Sequence, residues 1–360
     1  MNKITVVLLS IIASVLVTSI LTINVSQENS TSSIVKVKSG LIVHDALNKK
    51  NQTKEQILAD QPDWRYSGSA VSQNAPYDLN RNTQGLHIGV KALSNKAYAG
   101  FFAVTQETNA KLFHSVVSSA LRAIPSNSYF QNGLYVQTSN GTVNYVACGS
   151  VTNSARTVWS VMSATGDIKG ANQYKVLWVD DSPNQPLTRE CTVITNGHNY
   201  LKVYLDNVLA YYNNTLDLPM PDPFLAFLEV QSSYNGDLLY GTYRDFYMTT
   251  GENIDVINNP STSTTVKLVD SSGKVLASGS VVNGTASLDV GKYHFPLTAN
   301  IIVYNSTDAP IVSTSNPVKI FGGDVYSASH KGLDNLIYFL LRDSYKDLFS
   351  IMDYKSIPPS

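Results

Sequence analysis

From Gly85 to Met248 one short pattern keeps returning. Runs rich in Val, Ile, Tyr, Phe and Thr alternate with Gly, Asn, Asp and Pro, at a spacing of about 8–12 residues. The runs are Gly85–Val90, Tyr98–Val104, Leu112–Leu121, Gly133–Gln137, Val143–Cys148, Thr157–Met162, Tyr174–Val179, Thr188–Thr195, Phe224–Val230 and Thr242–Met248. No long helical period lies between them. A chain of this kind buries its apolar faces by packing sheet on sheet or by closing a barrel. The clearest unit is Ile194 to Tyr212. It opens on the turn pair Asn196-Gly197. Tyr200, Lys202 and Tyr204 then alternate with Leu201, Val203 and Leu205, the period of a strand with one buried face. Asp206-Asn207 tolerates the positive φ of a tight turn, and Val208 to Tyr211 returns. The pattern predicts a hairpin.

That hairpin, read as Tyr200-Leu201-Lys202-Val203-Tyr204-Leu205-Asp206-Asn207 with a short return strand, resembles the late hairpin of the concanavalin A-like lectin and glucanase jelly rolls. Asn207 stands where their form carries Gly. The resemblance implies an all-β fold, a two-sheet jelly roll over 40–250 with its first and last strands together, and a carbohydrate ligand. Glycoside hydrolases of this superfamily need two carboxylates across the scissile bond. In the laminarinase-like members these lie on one strand as Glu-x-Asp-x-x-Glu or Glu-x-Asp-x-Glu. No such run occurs here. Glu229 has Gln231 as its same-face neighbour, Glu190 is flanked by Arg189 and Cys191, and the adjacent Asp180 and Asp181 point to opposite faces. The expectation is therefore recognition without catalysis, with an atypical hydrolase as an alternative.

Sugars stack their apolar faces on aromatic rings while amides and carboxylates bond their hydroxyls. Tyr135, Gln137, Trp159, Trp178, Glu229 and Gln231 lie on or beside expected strands and are the candidate carbohydrate face. A Trp on a strand also serves readily as core. Asp180, Asp181 and Asn184 offer oxygens for a calcium loop, as many lectin-like jelly rolls use; no other cofactor is expected. The six histidines, His44, His87, His114, His198, His294 and His330, show no short metal-binding spacing, so no zinc site is expected.

Net charge is −1 and only 15% of residues are charged, which leaves no basic patch for nucleic acid. Ile4 to Ile23 is an almost unbroken apolar run. It is long enough for a membrane anchor and also suits a signal peptide, with Val17-x-Ser19 as the best cleavage candidate. Residues 1–26 are expected to direct export to the cell surface or exterior, and 27–39 to form a flexible stalk. Export gives meaning to the sequons at Asn24, Asn29, Asn51, Asn140, Asn213, Asn283 and Asn305. It also makes a disulfide of the two cysteines, Cys148 and Cys191, the expected state, with buried free thiols as the alternative.

Residues 251–263, with Asn258-Asn259-Pro260, read as a linker. From 264 to 326 a second β-module follows, with turns at Asp270–Gly273 and Asn283-Gly284. It is similar in rhythm to small Ig-like or transthyretin-like surface modules. In 327–360, Leu333, Leu336, Ile337, Leu340, Leu341, Leu348, Ile351 and Met352 recur at helical steps. That helix is expected to dock on the second module, or else to meet a partner or membrane surface. The functional expectation is an exported, lectin-like recognition protein. The alternative outside that class is a structural surface or adhesion component that assembles with other surface proteins.

Overall fold

The computed structural model describes residues 33–328, apart from 49, 61–63, 69–74, 95–98, 120–127, 141, 143, 154–155 and 167–172. The N-terminal apolar run, Asn24, Asn29 and the C-terminal helical pattern lie outside the described residues. Among the described residues no helix is long and apolar enough to cross a membrane.

The chain begins with β1 (Val35–Lys38) and β2 (Leu41–Asp45), then a short helix, α1 (Lys54–Ala59). There follow β3 (Trp64–Gly68), β4 (Tyr77–Asn82), β5 (Gly85–Val90), β6 (Ala99–Thr105), β7 (Leu112–Ser119), β8 (Tyr129–Thr138), β9 (Tyr145–Asn153) and β10 (Thr157–Thr165). Next come β11 (Gln173–Asp180), β12 (Thr188–Thr195), β13 (Leu201–Leu205), β14 (Val208–Asn213), β15 (Phe224–Ser232) and β16 (Leu239–Thr249). The last set is β17 (Asn253–Ile257), β18 (Ser263–Val269), β19 (Val275–Ser280), β20 (Ala286–Asp289), β21 (Leu297–Asn305), β22 (Pro310–Ser313), β23 (Val318–Ile320) and β24 (Val325–Ser327).

Strands β2 to β16 build two antiparallel sheets. One has the order β11-β10-β9-β8-β15-β6-β3; the other runs β14-β13-β12-β7-β16-β5-β4, with β2 also on β16. Alternate residues of each sheet meet in one core that includes Leu134, Val161 and Leu228 from the first sheet and Phe113, Val193 and Val203 from the second. The expected hairpin is β13–β14, paired from Leu201↔Asn213 to Leu205↔Val208. Its turn places Asp206 at φ 51° and Asn207 at φ 65°. At the upstream turn Gly197 has φ 75°, and a Cβ there would lie 2.0 Å from the Met220 carbonyl oxygen. Only Gly satisfies both conditions. The expected disulfide is present. Cys148 of β9 and Cys191 of β12 join the two sheets through the core, with Cα atoms 5.9 Å apart. By the chain-entropy argument, closing a loop of this size stabilises the fold by about 4 kcal/mol.

Two boundaries differ from the sequence reading. Val35–Lys38, expected in the stalk, is a strand paired with β24. It is fixed there because the fully buried Asp324 needs a cation: Lys36 Nζ lies 2.5 Å from it. Asp324 also accepts from the Gly40 and Phe321 amides at 2.9 and 2.8 Å. Asn253–Ile257, expected as linker, is β17, flanked by β24 and β20. The second module is thus a small sandwich of one sheet β1-β24-β17-β20 and another β19-β18-β21-β22 with β23 on β21. The jelly roll is inserted between its first strand and the rest.

The second module rests on the outer face of the eight-stranded sheet. Leu112, Ile194, Tyr204 and Tyr247 from that face share a cluster with Leu288, Phe295 and Ile301. Polar contacts frame it: Lys202 Nζ reaches Glu252 at 2.5 Å and Asp289 at 3.2 Å.

Candidate functional site

The outer face of the seven-stranded sheet carries a different set of residues. On β8 the core takes Phe130, Leu134 and Val136, so Tyr129, Gln131, Gly133, Tyr135 and Gln137 face outward by alternation. Register brings their neighbours. Gln131 pairs with Gln231, Gly133 with Glu229 and Tyr135 with Phe227 on β15. On β9 the partners are Val151, Gly149 and Ala147, and Gln137 meets Tyr145. Next to Glu229 the sheet therefore has two glycines in a row, which removes side chains from the middle of this face.

A recess of ≈ 340 Å³ opens here, lined by Tyr129, Gln131, Tyr145, Val151, Tyr174 and Gln231. Its polar groups are already aligned. Tyr129 Oη donates to Gln231 Oε1 at 3.0 Å, and Gln231 Nε2 donates to Glu229 Oε1 at 2.7 Å. Gln131 Nε2 bonds the Tyr135 hydroxyl. Tyr145 stands edge-on to Tyr135, ring centroids 5.3 Å apart. Tyr174 is half exposed at the rim. In the row of Glu229, Gly133 and Gly149, register next places Ser160, whose buried Oγ has no partner. Glu229 is half-buried. Burial pushes its carboxyl up to about 7, against the opposing pull of the Gln231 hydrogen bond.

Of the six sequence candidates, Tyr135, Gln137, Glu229 and Gln231 share this outer face. The two tryptophans do not. Trp159 is fully buried in the main core, where Nε1 donates to the Pro186 carbonyl at 2.8 Å. Trp178 pairs with Val161 on the same side and packs against that core. Alternation puts both on the inner face, so neither is a sugar platform. Sequence reasoning missed Tyr129, Gln131, Tyr145 and Tyr174. The first two were legible as the same-face companions of Tyr135, had β8 been extended back to Tyr129.

The calcium candidates are likewise engaged otherwise. Asp180 pairs with Arg189 at 2.8 Å and Asp181 with Arg156 at 3.0 Å. Their charges meet cations, and Asn184 merely takes a turn position at φ 61°. Asn51, Asn140 and Asn283 are exposed, whereas Asn213 and Asn305 are half-buried. The side chains of Asn213 and Asn305 accept from the Thr215 and Thr307 amides.

A larger hollow of ≈ 800 Å³ lies over α1 and β4. Its one aromatic ring, Tyr77, is covered on both faces. Phe101 stacks on it at 4.0 Å, and Lys54 Nζ lies 3.7 Å from its centroid. It offers no stacking platform.

Strand order and packing define the class: a two-sheet antiparallel jelly roll carrying a second, small β-sandwich. No protein-family model matches the sequence. No curated protein sequence matches it either. Solved structures do. A glycoside hydrolase family 16 endo-glucanase from Bacteroides ovatus is similar at 10% identity, over 57% of this chain and 98% of that one, with a TM-score of 0.41. β-Agarase A from Zobellia galactanivorans is similar at 10% identity, over 63% and 97%, with a TM-score of 0.41. An immunostimulatory antigen and pseudo β-1,3-glucanase of Mycobacterium tuberculosis is similar at 11% identity, over 58% and 98%, with a TM-score of 0.40. At this distance the likeness assigns this chain no activity.

Proposed function

We propose that this protein is an exported carbohydrate-recognition protein that binds a glycan on the outer face of the seven-stranded sheet and does not cleave it. The observation that carries this reading is the recess of Tyr129, Tyr145 and Tyr174 with Gln131 and Gln231 beside them. Rings that present a face or an edge, next to amides with fixed donors and acceptors, are what a sugar ring needs. Binding without cleavage is supported by the isolation of Glu229. The residues that register sets beside Glu229, Gly133 and Phe102, carry no carboxylate, and neither do Phe227 and Gln231 on its own strand, whereas glycosidases hold two within about 5–9.5 Å. The inter-sheet disulfide supports export, because such bonds persist in oxidising compartments. The exposed Asn51, Asn140 and Asn283 suit a glycosylating host. Residues 4–23 then serve as signal or anchor.

The test is a glycan and polysaccharide panel, read with calcium and with chelator. Binding lost in Tyr145→Ala and Tyr174→Ala variants supports the reading. Binding unchanged in both variants counts against it.

One observation favours a second reading, an atypical hydrolase. A carboxyl raised to about 7 is about half protonated at neutral pH and is suited to general acid work. New reducing ends released by the wild-type protein, and abolished by Glu229→Gln, establish that reading and displace the first.

A further inference from the structure

On the outer face of the eight-stranded sheet, register lines up one residue from each of five strands: His44, Tyr247, His114, Thr192 and Tyr204. His114 is the centre of this row and is 0% exposed. Its ring stacks on Tyr247, centroids 4.3 Å apart and planes within 5°. Nδ1 is bonded to Thr192 Oγ1 at 2.8 Å. Nε2 is buried and has no partner. In the tautomer whose Nδ1–H donates to Thr192 Oγ1, the buried Nε2 carries a free lone pair.

Two further groups lie beside this ring. Glu190, two residues before Thr192 on β12, shares the face by alternation. His294 comes from the loop between β20 and β21 of the second module and crosses His114 edge to face, centroids 5.0 Å apart. Glu190 Oε2 and His294 Nδ1 are 3.7 Å apart. One ligand atom from each of the three residues lies within 4.8 Å of the others.

We propose that His114, Glu190 and His294 form a binding site for a divalent transition ion of the zinc class, which ties the second module to the jelly roll. Bonds of 2.0–2.1 Å at tetrahedral angles set ligand atoms about 3.4 Å apart. The Glu190–His294 pair, at 3.7 Å, is already near that separation, and the remaining approach is at most about 1.4 Å. Two imidazoles and a carboxylate suit zinc, cobalt or nickel better than calcium or magnesium, which take oxygen ligands. The supports around the ligands fit as well. Thr192 holds the His114 ring from the far nitrogen, and Asn207 Nδ2 donates to Glu190 Oε2 at 3.3 Å; groups of this kind orient metal ligands. Glu190 and His294 keep side-chain exposures of 33% and 40%, so a fourth position opens to water.

The proposal is independent of the glycan reading, which concerns the opposite sheet. Its test is titration of the untagged, chelator-washed full-length protein with Co²⁺, read by visible absorption, and with Zn²⁺, read by thermal melting. The expected result is one ion per chain, a cobalt spectrum of low coordination number and a rise in Tm with zinc. Affinity should fall at least about a hundredfold in His294→Ala and in Glu190→Gln, while excess Ca²⁺ or Mg²⁺ does not compete. His294 sits in an exposed loop, so His294→Ala keeps the test valid if a His114 variant fails to fold. Absence of stoichiometric binding, or binding unchanged in His294→Ala, overturns the proposal.

Discussion

The jelly roll has two outer faces, and they are put to opposite uses. The eight-stranded face is covered. Leu112, Ile194, Tyr204 and Tyr247 are buried beneath the second module, and Lys202 at its edge is paired with Glu252 and Asp289. The seven-stranded face holds Tyr and Gln side chains around a recess, with Glu229 bonded to Gln231 beside it. Both faces are rich in Tyr, so composition does not separate them. What separates them is the partner: one face closes on a segment of the same chain, and the other keeps its hydrogen-bonding groups at an open recess. In a sandwich with one face already covered, the exposed face is the one available to ligand.

The largest expected effect lies between the faces and should disturb both. Replacing Cys148 and Cys191 together by Ala removes the inter-sheet link, and denaturant unfolding should show a loss of about 4 kcal/mol. The next belongs to the covered face alone. Tyr247→Ala empties a fully buried site between the modules and should cost about 3–5 kcal/mol by the same measurement, as other large aromatic truncations do. Glycan binding by the folded fraction should be unchanged. If Tyr247→Ala unfolds as the parent does, the modules are not held by this cluster.

A pH effect of similar or smaller size belongs to the open face. Glu229 has a folded pKa of about 7 against an ordinary 4.5. Between those values the folded state holds a proton that the unfolded chain releases, so stability falls as pH rises through this window and is fully present below it. The change is at most about 3 kcal/mol, because one pKa unit corresponds to 1.36 kcal/mol. Glu229→Gln should flatten the slope between pH 4.5 and 7; an unchanged slope would assign it elsewhere. The smallest effect on stability comes from Tyr145→Ala, at about 1 kcal/mol or less, with binding weakened at least about tenfold. Stability and binding thus trade places between the two faces.

The sequence carried the fold well where strands were apolar on one side. The hairpin β13–β14 and the runs of β7, β10 and β15 stand where the periodicity put them. It failed where the signal was polar or remote. Strand β4, Tyr77-Asp-Leu-Asn-Arg-Asn, is absent from the strand-like runs because only Leu79 is fully buried. Strand β1 reads as stalk because its anchor, Asp324, lies 288 residues away from Lys36. The site was legible in part: alternation grouped Tyr135 with Gln137 and Glu229 with Gln231, but the inward side of Trp159 and Trp178 depended on register with β9 and β11. The His114–His294 meeting was invisible to spacing rules, since it forms only when the second module docks.

The central claim is that the open face binds glycan. The most direct measurement is quantitative binding of the full-length protein to the best ligand from a glycan panel, comparing wild type, Tyr145→Ala on the open face and His294→Ala on the covered one. The account predicts binding that Tyr145→Ala weakens at least about tenfold and His294→Ala leaves unchanged. Binding that survives Tyr145→Ala, or a folded protein that binds no member of the panel, would contradict it.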